Sequence, residues 1–321
     1  MATKAWAAQQ SRSADEIFFQ NDAVSLCLLV NRRARTMRVI DFRAGLTMAK
    51  RLFVLSLAQR EGVDKVYTLV ERDEAATWGK LGFQKEGNIP GFYKRSDAFL
   101  LGCRVDTSLK GGRAKVLGGE QPTSEIRLAT SKPIVDETEV GMSPAQARAE
   151  RTVVQAKKLA KDLGPRGPTS VRLSKVTEAD IRKAVGAALR SGRALTAFEP
   201  FGRDVERRYF LASARSGAEV VAAAQAQACF GNVFLEILQS PRTEAERAAT
   251  NATIAALCDE LTAEGVVSCF SLAPSDDLSL ATAHAHNGFR RTGLLSSHLV
   301  VGSERKDAIL WSRKLANPTA D

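Results

Sequence analysis

The chain has 321 residues, 44% of them hydrophobic, and a formal net charge of +10 at neutral pH. This length and apolar content are sufficient for two domains, each with its own core. No apolar run approaches the roughly 20 residues of a membrane-spanning helix, and the first residues contain no hydrophobic signal core, so we expect a cytoplasmic protein without a membrane partner.

The first part of the chain is predicted to form three strands and a helix. The strands are EIFF (16–19), AVSLCLLV (23–30) and TMRVIDFRA (36–44), which are rich in apolar and β-branched residues. Apolar residues then recur with helical spacing from Leu46 to Glu61, and Gly62 ends this helix.

Positive charge is concentrated around the turn between the second and third strands, in what we call the arginine cluster. Its members are Arg32, Arg33, Arg35, Arg38 and Arg43. One interpretation is a solvated hairpin tip. The other is a site for an acidic partner, such as nucleic acid, an acidic protein surface or a nucleotide phosphate.

A strand, a short helix and a hairpin complete this half. VYTLV (66–70) is the strand, the amphipathic helix runs through Trp78 to Gly82, and the hairpin turns at Pro90-Gly91. Residues 106–168 then read as a linker. Its first part is glycine-rich, and its second part is a helix with Ser143 as the predicted N-cap and Pro144 at the first helical position.

The second half is predicted to contain more elements than the first. A strand (170–177) leads into a helix capped by Thr177 and Asp180. The elements that follow are a hairpin (209–228), a central strand (231–240), a helix (246–261), a strand (266–272), a short helix (281–287) and a final hairpin (289–315).

The two halves end in the same way, which predicts an internal repeat. In both, a strand and a short helix are followed by Gly-Phe, at Gly82-Phe83 and at Gly288-Phe289, and then by a hairpin. Glycine ends a helix without a Cβ clash and lets the next strand leave sharply. We therefore predict a first unit at 12–108, a linker with a helix at 109–168 and a second unit at 169–317.

These elements resemble those of the GNAT superfamily of N-acetyltransferases. LGFQKEGNIPGFYKRSDAFLL (81–101) is similar to the first module of bacterial β-lysine N-acetyltransferases, and GLLSSHLVVGSERKDAILWSRKL (293–315) to the last hairpin of their second module. The resemblance implies an α/β fold with a mixed sheet, built from two tandem GNAT-like modules of which the first is truncated. It also implies acetyl-CoA or another acyl-CoA as cofactor and an amine, on a small molecule or a protein, as acceptor.

In this family the coenzyme pyrophosphate lies at the junction between the central strand and the next helix, where backbone N–H groups face the phosphates. The resemblance places the cradle between Ser240 and Thr253. Its candidate ligands are Arg242, Arg247, Thr250 and Asn251, and Asp277 stands where an asparagine often contacts the coenzyme. The segment contains no glycine, so the backbone can approach the phosphates less closely.

Two residues are candidates for acid–base chemistry. The resemblance implies that Glu236, in the central strand, acts as the base through water, and that His284 takes the place of the tyrosine that protonates the leaving thiolate. Both residues also have structural interpretations, Glu236 as a surface-facing strand residue and His284 as a polar residue on an exposed helix face. Trp78 is at the matching place in the first half and cannot act as a general acid.

The resemblance also implies a gap between the central strand and the next one, where the thioester would lie. Two functions remain open: an N-acyltransferase whose second unit is catalytic, or a non-catalytic protein of the same fold that binds a protein or an acidic partner. The five cysteines, at positions 27, 103, 229, 258 and 269, are interpreted as free thiols. No Cys/His spacing suits a metal.

Overall fold

The computed structural model describes residues 14–22, 24–43, 45–105, 142–163, 169–190, 198–199, 201–202, 204–227 and 230–315. The glycine-rich part of the predicted linker and Cys229 lie outside these residues. Within the described part of the chain, no helix is long and apolar enough to cross a membrane.

The chain is a mixed α/β structure, which confirms the predicted fold class. The strands are β1 (Asp15–Gln20), β2 (Ser25–Asn31), β3 (Thr36–Asp41), β4 (Lys65–Val70), β5 (Gln84–Ile89), β6 (Ala98–Arg104), β7 (Val171–Val176), β8 (Val205–Ala214), β9 (Glu219–Gln227), β10 (Asn232–Ile237), β11 (Ser268–Pro274), β12 (Arg290–Val301) and β13 (Glu304–Lys314). The helices are α1 (Met48–Arg60), α2 (Arg72–Lys80), α3 (Pro144–Asp162), α4 (Glu178–Arg190), α5 (Glu244–Ala263) and α6 (Leu278–His286).

All of these strands belong to one sheet, in the order β1-β2-β3-β4-β6-β5-β12-β13-β11-β10-β9-β8-β7. The order in the second half, from β12 to β8, mirrors the order in the first. Each half has one parallel pair, β3 with β4 and β10 with β11. A helix joins the two strands of each pair, as a parallel connection requires. The repeat that was predicted from the sequence is therefore present in the strand order.

Local sequence signals explain the ends of several helices. Gly82 and Gly288 follow α2 and α6 with φ angles of +87° and +75°, a region that glycine tolerates best. Ser143 caps α3 in a capping box with Gln146, and Thr177 exchanges hydrogen bonds with Asp180 at the start of α4. These predicted caps are confirmed.

The two faces of the sheet carry different layers. We call the face covered by α1, α2, α3, α5 and α6 the outer face, because each half packs its apolar helix residues there. The opposite, inner face holds α4 and an aromatic cluster that both halves share, in which Phe92, Phe198, Phe234 and Phe270 lie close together. The halves therefore share one core on the inner face.

The halves also meet along a strand pair and in a buried polar network. β5 and β12 approach so closely at Gly87 and Gly293 that a Cβ on either residue would contact backbone within 3 Å. Nearby, the carboxylate of Glu199 accepts hydrogen bonds from Thr36 (2.7 Å) and Tyr67, and its carbonyl oxygen accepts one from Arg38 (2.6 Å). A segment of the second half is thus bound by the first.

Candidate functional site

A groove with a volume of about 1330 Å³ lies on the outer face of the second half, between α5, α6, the end of α3 and the start of β7. Four alanines of α5, at positions 248, 252, 255 and 256, line one wall and leave it open because their side chains are small. Arg247 and Arg313 contribute positive charge, and Glu244, Asp162 and Asp259 contribute negative charge. The lining thus combines small apolar side chains with charges of both signs.

The two parallel strands of the second half pair over only part of their length. β10 pairs with β11 only from Asn232 to Phe234, opposite Ser268 to Phe270. The remaining residues, 235–237 and 271–274, do not pair with each other. The unpaired segment lies between the two strands for which the family resemblance implied a gap.

Glu236 lies on the inner face, just beyond the point where the strands part. It is 5% exposed, so the surface-facing interpretation is wrong. Its carboxylate forms an ion pair with Arg207 (2.6 Å). Burial raises the pKa of Glu236, and the neighbouring Arg207 opposes that rise.

Arg207 was not identified from the sequence. Its guanidinium lies over the ring of Tyr209 and donates hydrogen bonds to the Tyr209 hydroxyl (3.0 Å) and to Gln225 (3.2 Å). The alternation of β8 places Arg207 and Tyr209 on the same face, but only the pairing of β8, β9 and β10 brings that face to Glu236.

His284 lies on the outer face, in the core between α6 and the sheet. It is 1% exposed, which makes the interpretation as an exposed polar residue wrong. Its ring contacts Phe289 and stacks on Trp311, with Nδ1 2.8 Å from the carbonyl oxygen of Leu280. Burial lowers the pKa of His284 to about 4, and the hydrogen bond to Leu280 opposes this shift.

This setting does not favour His284 as a general acid. Because a carbonyl can only accept, the Leu280 contact places the ring proton on Nδ1 and leaves Nε2 with a lone pair. Glu236 and His284 also lie on opposite faces of the sheet, separated by β10 and β11. The structure therefore brings both residues to the region of the gap but not into contact with each other.

The predicted phosphate cradle at the start of α5 already has an anion of the chain's own. The carboxylate of Glu246 accepts hydrogen bonds from the backbone N–H groups of Arg242 (2.6 Å) and Thr243 (3.1 Å). Thr243 and Glu246 together form a capping box. Arg242 and Arg247 are exposed, and Arg247 donates to the Arg242 carbonyl oxygen (3.2 Å). The two arginines could hold phosphate charge, whereas Glu246 opposes it.

Of the other three predicted coenzyme ligands, Thr250 is buried, and Asn251 and Asp277 make hydrogen bonds within the chain. Thr250 is 1% exposed. Asn251 borders the groove, and its carbonyl groups accept hydrogen bonds from Asn287 at 2.8 and 3.1 Å. Asp277 is the N-cap of α6 and accepts a hydrogen bond from the backbone of Leu280 (2.9 Å). Asn251 alone of these three is placed where a ligand in the groove could contact it.

We expect Glu246→Gln to strengthen coenzyme A binding roughly fivefold, because an anion at a helix N-terminus contributes up to ~1 kcal/mol and here it competes with phosphate. Glutamine can still accept both backbone hydrogen bonds, so the capping box persists. Calorimetric titration with coenzyme A measures the change. Glu260→Gln, about 20 Å away along the same helix, is the matched control and should leave the affinity unchanged. Equal affinities of all three proteins would show that Glu246 does not compete with the phosphates.

The corresponding region of the first half is filled by its own side chains. Lys50, 1% exposed, forms an ion pair with Asp41 and donates to the carbonyl oxygens of Arg43 (2.9 Å) and Gly45 (3.0 Å). The ammonium group thus binds the loop between β3 and α1, which corresponds to the predicted phosphate cradle of the second half. The position equivalent to Glu236 is Ile40, because the aligned parallel pairs begin at Thr36 and Asn232.

The arginine cluster is not a continuous free patch. Arg38 is 3% exposed and bound to Glu199. Arg32 forms ion pairs with Asp15 and Glu61, and Arg35 forms one with Asp64. Most of these arginines therefore bind carboxylates or carbonyl groups of the chain itself.

Within the described residues, no group of three or more His, Cys, Asp and Glu side chains is arranged to hold a metal ion.

No family model matches the chain, and no curated protein matches it. Among solved structures, the chain is similar to a GNAT superfamily phosphinothricin acetyltransferase from Sinorhizobium meliloti in complex with AcCoA, at 20% identity over 47% of this chain and 92% of that one, with a TM-score of 0.38. It is also similar to the ribosomal-protein-S18-alanine N-acetyltransferase of Escherichia coli, at 18% identity over 47% and 97% of the chains, with a TM-score of 0.35.

A third similar structure is the spermidine N-acetyltransferase of Vibrio cholerae in complex with CoA and spermine, at 12% identity over 46% of this chain and 96% of that chain, with a TM-score of 0.36. With identities and TM-scores this low, the similarities carry no argument about activity or ligands. The structural neighbours of this chain are thus acetyltransferases about half its length.

Proposed function

We propose that the second half of the chain, residues 169–317, binds an acyl-coenzyme A and transfers its acyl group to an amine. In this proposal residues 12–108 are a truncated supporting unit and 109–168 a linker, the two-module arrangement that resembles bacterial β-lysine N-acetyltransferases. The observation that carries the proposal is the parting of β10 and β11 in the half whose helices α5 and α6 line a groove on the outer face. Unpaired strand backbone needs hydrogen-bond partners, and an extended amide-containing arm provides them.

The residues around the groove and the gap fit such a ligand in most respects. Arg247 and Arg313 offer positive charge for phosphates, and the α5 alanines leave room for the rest of the molecule. Carboxylates oppose such a ligand: Glu246 holds backbone N–H groups that phosphate would use, and Glu244, Asp162 and Asp259 add negative charge to the groove. When bound, acyl-CoA supplies an acyl carbon activated by a thiolate leaving group.

Glu236 is the candidate base on the inner face, where the amine would approach. Its pKa is raised by burial, which makes it a better proton acceptor than a solvated carboxylate. The ion pair with Arg207 opposes this rise and favours the ionised form. The amine nitrogen forms a bond to the acyl carbon, the carbon–sulfur bond breaks with its electrons on sulfur, and the proton lost by nitrogen balances the one that sulfur takes up.

A second candidate function is a non-catalytic protein of the same fold that binds a protein or an acidic partner. Two observations favour it: Glu246 accepts the backbone hydrogen bonds at the predicted cradle, and Glu236 is ion-paired with Arg207. Because most residues of the arginine cluster bind groups of the chain itself, an acidic partner at that surface is disfavoured. A protein partner therefore fits this alternative better.

Release of free thiol from acetyl-CoA, measured with a panel of primary amines that includes a polyamine, an amino acid and a peptide N-terminus, tests the proposal. We expect amine-dependent release that falls about 100-fold in Glu236→Gln, the low end for loss of a general base. Coenzyme binding without release, for every amine and at every pH between 6 and 9, would favour the non-catalytic alternative.

A further inference from the structure

Three side chains of the first half bind one residue of the second, in what we call the Glu199 network. The carboxylate oxygens of Glu199 accept hydrogen bonds from Thr36 (2.7 Å) and from the hydroxyl of Tyr67, which in turn accepts one from the backbone N–H of Glu199 (3.1 Å). Arg38 donates to the carbonyl oxygen of Glu199 (2.6 Å). The backbone N–H, the carbonyl oxygen and both carboxylate oxygens of Glu199 thus have partners in the first half.

The Glu199 network is buried. Glu199 is 1% exposed and Arg38 is 3% exposed, and solvent does not reach Thr36 or Tyr67. Burial raises the pKa of Glu199, and the hydrogen bonds from Tyr67 and Thr36 oppose this rise. A buried carboxyl group is costly unless it is hydrogen-bonded, and a fully satisfied polar network in the interior favours one arrangement of its members. The network therefore fixes the position of Glu199 relative to the first half.

The residue before Glu199 contacts the second half where β10 and β11 part. The ring of Phe198 packs on the rings of Phe234 and Phe270, with centroids 5.2 Å apart in both contacts. Phe234 and Phe270 are the last opposed residues of the parallel pair. Because side chains alternate along a strand, the next residue of β10 on this inner face is Glu236, the candidate base. Phe198 therefore lies beside the start of the gap on the inner face.

The two halves use equivalent positions for these contacts. Arg38 lies opposite Tyr67 in the third pair of the β3–β4 ladder, and Phe234 lies opposite Phe270 in the third pair of the β10–β11 ladder. The first half thus carries polar side chains where the second carries an aromatic pair. Consecutive residues of one segment bind these two pairs, so the inner face of the first half holds a part of the second half at this point.

We propose that the Glu199 network of the first half positions the acceptor amine for the reaction in the second half. By holding Glu199 it places Phe198 beside Glu236, where the ring bounds the space that the amine enters. Holding a reactant in the right place relative to the reacting groups is a large part of many rate enhancements. This inference rests on the function proposed above, and it gives the truncated first unit a role in a reaction that the second unit carries out.

Steady-state kinetics of thiol release test the inference, with the amine of the panel above that gives the fastest release. We expect Tyr67→Phe to raise the KM for the amine about tenfold, because one lost hydrogen bond to a charged group lowers the fraction of chains that have Phe198 in place. The KM for acetyl-CoA should stay unchanged, since the groove is on the opposite face of the sheet. Thr36→Val, which removes the other hydroxyl donor, should show the same difference between the two substrates.

Thr68→Val is the matched control. Thr68 follows Tyr67 in β4, is 1% exposed, and donates a hydrogen bond to the carbonyl oxygen of Val39 (3.0 Å) within the first half. This variant loses a buried hydrogen bond next to the network but none to Glu199, so both KM values should remain those of the wild type. Hydrogen exchange gives a second measurement: Tyr67→Phe should accelerate exchange of the Glu199 amide, whereas Thr68→Val should not.

The outcomes distinguish this inference from the proposed function. Wild-type protein that releases no thiol with any amine would overturn the proposed function and the inference with it. Turnover by the wild type, together with the same KM for the amine in Tyr67→Phe, Thr36→Val and Thr68→Val, would overturn the inference alone. An equal rise of the KM for acetyl-CoA in Tyr67→Phe would show a general structural role and would also overturn the inference.

Discussion

Replacing Arg207 with methionine is expected to destabilise the protein by about 3–5 kcal/mol at pH 7, because it leaves the carboxylate of Glu236 buried without its partner. The Arg207 side chain is only 20% exposed and that of Glu236 only 4%, so solvent replaces little of the lost interaction. Urea unfolding of the variant and the wild type measures the difference. Methionine retains most of the apolar stem, so the charge is the main change.

Two further measurements separate the charge from other effects. Glu236→Gln should cost less, about 1 kcal/mol, because Arg207 keeps its hydrogen bonds to Tyr209 and Gln225. In Arg207→Met the pKa of Glu236 rises further above its unfolded value. The folded state then binds the proton more strongly, and the loss of stability should shrink as the pH falls from 7 to 5. A loss of the same size at both pH values would contradict the ion pair.

Lowering the pH should destabilise the wild-type protein because His284 is buried in its neutral form. This effect is opposite in sign to the gain that Arg207→Met shows at lower pH. The pKa of His284 is about 4 in the folded chain, against an ordinary value of 6.5. As the pH falls below 6.5, the imidazole is protonated in the unfolded chain before it is protonated in the folded chain. The free energy of unfolding therefore decreases between pH 6.5 and about pH 4 and is unaffected by His284 above this range. A difference of this size corresponds to roughly 3 kcal/mol.

The variant His284→Phe isolates this contribution, since Glu236 and Glu199 titrate in both proteins. We expect the difference in unfolding free energy between the variant and the wild type to change by roughly 3 kcal/mol between pH 7 and pH 4, in favour of phenylalanine at the lower pH. Guanidinium or urea unfolding at four pH values measures it. A constant difference would mean that His284 titrates in the folded state as it does in water, which contradicts its burial in the core.

The order of helices and strands could be predicted because short-range sequence patterns indicate where each one begins and ends. The glycines at 82 and 288, each followed by phenylalanine, marked both halves, and the alternation and length of apolar runs placed the strands. Helix ends followed where a capping pair was present, as at Ser143 and Thr177. These features depend on residues within a few positions of one another, which a single sequence displays.

The site was less predictable because its contacts are distant in the chain. Glu236 was found from its place in the central strand, but its ion pair with Arg207 depends on how three strands align. From the sequence, Arg38 was assigned to the arginine cluster. In the structure it lies on the inner face and donates a hydrogen bond to Glu199, which is more than 160 residues away in the chain. The burial of His284 depends on Trp311 of β13, which no spacing within α6 reveals.

The central claim is that one acyl-coenzyme A binds per chain, in the second half and not in the first. Calorimetric titration of the full chain with acetyl-CoA tests it most directly. We predict saturable binding at one equivalent per chain, because Lys50 and Asp41 fill the corresponding region of the first half while the second half keeps its groove and gap. Absence of heat and of any thermal stabilisation at millimolar acetyl-CoA would contradict the claim, and so would two equivalents per chain.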